Sequence, residues 1–170
     1  MPNKDSPYKE RAAAPRVDEI ACKEWYESEN CIIERYGWDL LHRKDLPGKF
    51  FYNMPNFIAD TPDFTACTSD YKLYMLVEAK CITYNGMCNA MKVTHWEAYE
   101  KWFKLTKEMV DFYFFFYNKT YGSLNAPFEA VKKIIDNDSE IDYLDKGKFN
   151  EKEIHRFSVR GLEEHNVKRW

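Results

Sequence analysis

The stretch that decides the fold is Thr61–Cys81, TPDFTACTSDYKLYMLVEAKC. It contains two segments rich in strand-forming residues, DFTACT and YKLYMLVEAKC, separated by Ser69-Asp70, a pair typical of a tight turn. The second segment is almost continuously apolar from Leu73 to Val77, as expected for a strand that is buried on both faces of a sheet. The sequence therefore predicts two antiparallel strands, the second of which is central in its sheet.

Charged residues stand where this apolar strand ends, as Glu78-Ala79-Lys80, and Asp63 precedes the partner strand directly after a proline. Side chains at positions i and i+2 of a strand point to the same side, so Glu78 and Lys80 project together. A chain that folds back at the turn brings Asp63 close to both. The sequence thus predicts two carboxylates and an ammonium that converge at the end of a buried strand.

Two carboxylates at this distance repel each other unless a cation lies between them. Hard divalent ions such as Mg²⁺ bind one or two protein carboxylates and keep water and phosphate oxygens as their other ligands. We expect Asp63, Glu78 and the backbone carbonyl of Ala79 to hold Mg²⁺, with Mn²⁺ able to substitute. Lys80 would orient or help to deprotonate an attacking water and stabilise charge on a phosphate. Without metal, removal of either carboxylate should raise the stability or leave it level.

The remaining patterns predict one mixed α/β domain. The expected elements are a helix from Val17 to Tyr36 that stops at Gly37, strands at GWDLLHR and KFFYNM, a loop at YNGMCN, a helix over Met91–Lys107, a strand over Val110–Tyr117 and a short helix over Ala126–Asp136. Two strands separated by a helix of this length predict a parallel crossover beside a β-meander.

The pattern Pro62-Asp63 followed by Glu78-Ala79-Lys80 resembles the motif of the PD-(D/E)xK nuclease superfamily, which includes many restriction enzymes, phage junction resolvases, RecB-like exonucleases and some homing endonucleases. The resemblance implies a restriction-endonuclease-like α/β core of helix, three-strand meander, helix and strand, with a mixed sheet and helices on both faces. It also implies an Mg²⁺-dependent endonuclease in which Asp63 and Glu78 hold the metal and Lys80 assists the attacking water.

Many members of that superfamily add a glutamate from the first helix as a further metal ligand. The first predicted helix presents Glu24, Glu27 and Glu34 on one face, and by this resemblance one of them joins the site. Glu27 is favoured because it stands ten residues before the Gly-Trp that ends the helix.

Candidate DNA contacts lie beside the site and in the N-terminal arm. Lys92 and His95 are one turn apart on the helix that follows the site, where they are expected to contact the scissile phosphate or to remain ordinary surface residues. The net charge of −3 excludes a uniformly basic nucleic-acid coat, but residues 1–16 carry four Lys/Arg against two acids and residues 146–170 carry seven against four. Arg11 and Arg16 in the first of these arms are predicted to track DNA phosphates.

The 170 residues fit a flexible basic arm over 1–16 and a single nuclease domain over 17–170, with a polar C-terminal extension from about residue 137. Five cysteines without a CxxC pair, and no signal peptide, predict a cytoplasmic protein with reduced thiols, compatible with a phage-encoded enzyme in a bacterial host. Cleavage of both strands of double-stranded DNA calls for two active sites, which predicts a homodimer or a higher even oligomer.

The favoured interpretation is a freestanding, site-specific phage or mobile-element endonuclease of homing or restriction type. A Holliday-junction resolvase or a RecB-like exonuclease remains open. So does a non-catalytic DNA-binding protein on the same fold, although such a protein has no need for a pair of repelling carboxylates.

Overall fold

The structure is a computed structural model that describes residues 16–36, 60–83, 85–120, 122–144 and 152–165. Its elements are α1 (Val17–Ser28), β1 (Cys31–Arg35), β2 (Phe64–Thr68), β3 (Tyr74–Cys81), β4 (Met87–Lys92), α2 (Val93–Thr106), β5 (Asp111–Asn118), β6 (Gly122–Pro127), α3 (Phe128–Asp138), β7 (Glu140–Leu144), β8 (Lys152–Ser158) and a 3₁₀ helix (Arg160–His165). The strands predicted at GWDLLHR and KFFYNM lie outside the described residues, as does Arg11.

A five-stranded mixed sheet carries the fold, in the order β1-β2-β3-β5-β6. Strands β1, β2 and β3 are antiparallel neighbours, whereas β5 runs parallel to β3 after the chain has passed through α2. The predicted mixed α/β class, the antiparallel pair and the parallel strand after the helix are therefore confirmed. Strand β3 lies between two neighbours, and all of residues 75–80 are buried.

Helices pack on both faces of this sheet because alternate side chains of its central strands point in opposite directions. On one face, Cys22 and Tyr26 of α1 pack against Val77, Ala79 and Phe115. On the other face, side chains of β5 pack against residues of α2 and α3, and the larger members of this cluster are Phe112, Phe114, Phe116, Trp96, Tyr99 and Phe128. The aromatic run in β5 thus supplies both cores.

The first helix is shorter than predicted and ends at Ser28. Asn30 adopts the left-handed conformation, with φ of 62°, and asparagine tolerates this conformation at a helix end better than most residues do. The next five residues alternate between the two faces of the sheet as edge strand β1. The prediction of a helix through Tyr36 was wrong because a period of two over five residues is a weak signal beside a long helical pattern.

The C-terminal part of the chain also differs from the prediction. Residues 140–144 and 152–158 form strands of a second sheet, in the order β4-β8-β7, and Met87–Lys92, which overlaps the predicted loop, is its third strand. Ile154, Phe157 and Leu162 are buried, and the last two belong to the core around α2 and α3. The sequence analysis assigned no strands to this polar extension, because a few apolar side chains among polar ones give no periodic signal.

Two further points concern the cysteines and membrane-spanning helices. All five cysteines are free thiols, in agreement with the prediction. In the described part of the chain, no helix combines the length and the apolar character needed to cross a bilayer.

Candidate active site

The pairing register of β2 and β3 brings the two acids of the motif together. Phe64 pairs with Val77, so one further step along the two antiparallel strands places Asp63 opposite Glu78. The backbone N–H of Asp63 donates a hydrogen bond to Glu78 Oε2 at 3.1 Å, and the N–H of Ala79 donates to Asp63 Oδ2 at 3.0 Å. These two hydrogen bonds hold both carboxylates at the same end of the central strand.

Lys80 completes this group as a buried ion pair with Glu78. Its Nζ donates to Glu78 Oε1, and both side chains are at least 95% buried. The Lys80 ammonium also lies 5.7 Å from the centre of the Tyr99 ring, and the Tyr99 hydroxyl donates a hydrogen bond to Glu78. Strand geometry explains the pairing, because positions 78 and 80 face the same side of β3.

Burial and charge set the protonation of this pair. Burial, followed by the negative charge of Asp63, raises the pKa of Glu78 from its ordinary 4.5 to about 7, although Lys80 and Tyr99 oppose the rise. Burial lowers the pKa of Lys80, but the carboxylates of Glu78 and Asp63 raise it more, so its pKa lies above the ordinary value. Lys80 is therefore an ammonium at neutral pH and acts as a hydrogen-bond donor rather than as a base.

We expect the Glu78 carboxyl to titrate near pH 7 in the metal-free protein, as followed by ¹³C NMR of the side-chain carboxyl carbon. A carboxyl whose pKa is raised in the folded state binds its proton more tightly there than in the unfolded chain. Its contribution to stability is therefore complete at low pH and declines between about pH 4.5 and 7. Asp63→Asn should lower the Glu78 midpoint, whereas Asp136→Asn at an exposed position of α3 should not. A midpoint near 4.5 in the wild type would contradict the burial of this group.

Arg16 belongs to the site, although the sequence analysis assigned it to the flexible basic arm. Its Nη2 donates to Asp63 Oδ2 at 3.2 Å and to the carbonyl oxygen of Ala79 at 3.1 Å. The same nitrogen lies 3.2 Å from Asp18 Oδ2, and Nε lies 3.2 Å from Glu19 Oε1. Burial lowers the pKa of Arg16, but the surrounding carboxylates raise it more, so the guanidinium stays charged. The sequence signal for this contact was the adjacency of Arg16 to two acids at a helix start.

The helix acids nearest the site come from the first turn of α1. Asp18 and Glu19 are buried on the face that meets the sheet, whereas Glu24 and Glu27 are exposed. Glu27 pairs with Lys23 on the helix surface, at 3.8 Å. The structure therefore does not bring the favoured Glu27 to Asp63.

Glu34 does not lie on the helix face where the sequence analysis placed it. It is an exposed residue of edge strand β1, not a helix residue. The predicted row of three glutamates on one helix face was therefore wrong. The row depended on continuing the helical spacing beyond Asn30, where the backbone leaves the helix.

Lys92 and His95 lie at the junction of β4 and α2, together with Asp60. Lys92 Nζ is 3.4 Å from His95 Nε2, and that nitrogen is 3.3 Å from Asp60 Oδ1. Burial, followed by the positive charges of Lys92 and Lys80, lowers the pKa of His95 to about 3. The ring is therefore neutral, and with its proton on Nε2 it donates to Asp60. Burial lowers the pKa of Lys92, and the positive charge of Lys152 lowers it further. Lys152 therefore adds positive charge to this region.

The suitability of the site around Asp63 for a metal ion depends on the oxygen atoms that it offers. Within the described residues, no group of three or more His, Cys, Asp or Glu side chains is arranged to hold a metal. However, Asp63 Oδ2 and the Ala79 carbonyl already converge on one cationic nitrogen of Arg16, and Mg²⁺ needs only one or two carboxylates from a protein. Asp18 Oδ1 is buried and accepts no hydrogen bond of ordinary geometry from the described residues. These oxygens fit a hard cation that keeps most of its water.

No protein-family model matches the chain, and the comparisons with curated proteins and with solved structures find no match. Asp63, Glu78, Ala79, Lys80 and Arg16 form one group at the end of the central strand β3. It combines two carboxylates, a carbonyl oxygen, an ammonium and a guanidinium.

Proposed function

We propose that the protein is a metal-dependent endonuclease of the PD-(D/E)xK type that hydrolyses phosphodiester bonds in double-stranded DNA. The observation that carries the proposal is the reciprocal hydrogen bonding of Asp63 with Glu78 and Ala79, with Lys80 paired to Glu78. A surface ion pair at a strand end would not bury both partners, and it would not hold a second carboxylate against them.

The order of the elements supports the same class. The series α1, β1, β2, β3, α2, β5 is a helix, an antiparallel three-strand meander, a helix and a strand parallel to the last strand of the meander. This is the core that the resemblance implies for a restriction-endonuclease-like fold. In this interpretation β4, β7 and β8 are an added sheet that packs beside α2 and α3.

The proposed metal is Mg²⁺, with Mn²⁺ as a substitute, and the proposed ligands are the carboxylates of Asp63 and Glu78 and the Ala79 carbonyl. Asp18 takes the place that the sequence analysis gave to Glu27, because it shares Arg16 Nη2 with Asp63. When bound, such an ion polarises a phosphate oxygen and lowers the pKa of a coordinated water.

The chain itself supplies positioning and charge. The Lys80 ammonium donates hydrogen bonds, so in this proposal it orients the attacking water and stabilises the charge that develops on the phosphate. Lys92 occupies the N-cap position of α2, at the end of the helix where backbone N–H groups favour an anion. Lys152 adds charge to the same region, and the neutral His95 provides a hydrogen bond without charge. Together they suit the phosphates on either side of the cut.

The test is cleavage of supercoiled plasmid and of end-labelled linear duplex in Mg²⁺, in Mn²⁺ and in EDTA. We expect nicked and then linear plasmid in either metal, and intact plasmid in EDTA. Internal fragments from the linear duplex would distinguish an endonuclease from an exonuclease. Failure to cleave plasmid, linear duplex and four-way junctions in both metals would overturn the proposal.

The proposed partner chain is a second copy, since one site of this kind cuts one strand at a time. Analytical ultracentrifugation with and without duplex tests this point. A strict monomer that makes a double-strand break in a single encounter would refute the homodimer. A salt titration of DNA binding gives the number of phosphates neutralised, and we expect a steep decline with salt.

A further inference from the structure

The environment of Arg16 resembles a cation site that is already filled by the protein. One nitrogen, Nη2, lies within 3.1–3.2 Å of three oxygens, which belong to Asp63, Ala79 and Asp18. Glu19 contacts two other nitrogens of Arg16. Its Oε1 lies 3.2 Å from Nε, and its Oε2 accepts a hydrogen bond from the backbone N–H at 3.1 Å. The guanidinium thus has oxygen neighbours on the side that faces the sheet.

Two of these oxygens, Asp63 Oδ2 and the Ala79 carbonyl, are those proposed to hold the divalent ion. Mg²⁺ binds its oxygens at about 2.0–2.1 Å with near-octahedral geometry, so it needs the space around the same lone pairs. A guanidinium and a divalent ion that share two oxygens also repel each other strongly. The two cations therefore exclude each other from this position.

We propose that Arg16 is a built-in competitor of the metal: its guanidinium occupies the Asp63–Ala79 oxygen pair in the metal-free protein and leaves it when a divalent ion binds. This inference rests on the proposed function, because it assumes that the ion binds at this oxygen pair. It assigns a regulatory contact to a residue that the motif does not include.

The surroundings of Arg16 allow it to leave. Its side chain is 52% exposed, whereas Lys80 is 5% exposed, so Arg16 can move into solvent without opening the core. Glu19 keeps a second cation when Arg16 withdraws, since Arg35 Nη2 lies 3.4 Å from Glu19 Oε2. The buried Glu78–Lys80 pair is held by its own hydrogen bond, in which Arg16 takes no part.

The direct test is calorimetric titration of the metal-free protein with Mn²⁺, without DNA. We expect Arg16→Ala to bind Mn²⁺ about two- to fivefold more tightly than the wild type, the size of effect that loss of one partly exposed ion-pair competitor allows. Arg16→Lys keeps the charge but loses the planar fork, and it should lie between the two. Arg160→Ala makes the same charge change at an exposed arginine of the 3₁₀ helix and should stay close to the wild type.

A second readout follows the guanidinium itself and does not depend on Arg16→Ala being well folded. In ¹⁵N NMR of the wild type, Mg²⁺ should shift the Nε–H signal of Arg16, identified by its loss in Arg16→Lys, and leave that of Arg160 in place. An Arg16 signal that does not change at saturating Mg²⁺ would overturn the competition.

Asp63→Asn separates failure of this inference from failure of the proposed function. Mn²⁺ binding that requires Asp63 but is equal or weaker in Arg16→Ala would overturn the competition and leave the metal site intact. Mn²⁺ binding that survives Asp63→Asn unchanged would show that the ion binds elsewhere, which would overturn the metal site and the competition together.

Discussion

Asp63→Asn should lower the rate of DNA cleavage at saturating Mg²⁺ and DNA by at least about 10²-fold, since the metal site is asked to supply several kcal/mol of transition-state stabilisation. Asparagine keeps an oxygen that can accept the hydrogen bond from the Ala79 N–H, so the change removes charge with little disturbance of the backbone. DNA affinity, measured by fluorescence anisotropy, should stay level or increase because a negative charge is lost near phosphates.

The matched control for this prediction is Asp136→Asn, which makes the same chemical change at a carboxylate that pairs with Lys132 on α3. It should cleave at the wild-type rate. Full activity in Asp63→Asn would remove Asp63 from the site, and with it the main support for the proposed class.

Lys80→Met should destabilise the metal-free protein by about 3–5 kcal/mol at pH 8, measured by urea unfolding in EDTA, because it leaves the buried Glu78 carboxylate without its cation. The double substitution Glu78→Gln, Lys80→Met should recover most of that loss, since it removes both buried charges. Glu78→Gln alone should raise the stability or leave it level, as the sequence analysis expects, because the raised pKa of Glu78 means that its charged form is disfavoured in the folded protein.

Lys132→Met provides the control, since Lys132 pairs with Glu100 at 2.7 Å across α2 and α3 in a partly exposed position. The same change there should cost less than about 1 kcal/mol. If Lys80→Met proves no more damaging than Lys132→Met, the burial of the Glu78–Lys80 pair is wrong. The coupling energy from the four-member cycle of Glu78 and Lys80 variants gives the strength of the pair directly.

The sequence predicted the central part of the fold well, for local reasons. The turn at Ser69-Asp70 and the apolar run before Glu78 defined two neighbouring strands, and antiparallel pairing then implied that Asp63 lies close to Glu78 and Lys80. The position of Lys80 beside Glu78 followed from the two-residue repeat of a strand. Each of these inferences spans fewer than twenty residues, over which turn chemistry and periodicity are reliable guides.

The end of α1 was missed because the helical spacing of the sequence continues past Asn30, where the backbone leaves the helix. Helical spacing through Cys31 and Glu34 was accidental, and the left-handed Asn30 overrode it. The C-terminal strands were missed for a different reason, since Ile154 and Phe157 gain their burial from packing against distant elements. Neither residue stands in a local pattern that sequence periodicity detects.

The sequence by itself determined the mixed α/β core, the antiparallel pairing of β2 and β3 and the three residues of the motif, because strand alternation and a tight turn act between near neighbours. Only the tertiary structure decided which cations neutralise those residues and which helix acids join them. Arg16 reaches an oxygen of Ala79, 63 residues away, and Asp18 enters the site because α1 packs its first turn against β3. Charge compensation in a folded protein depends on distances through space, and these leave no periodic trace along the chain.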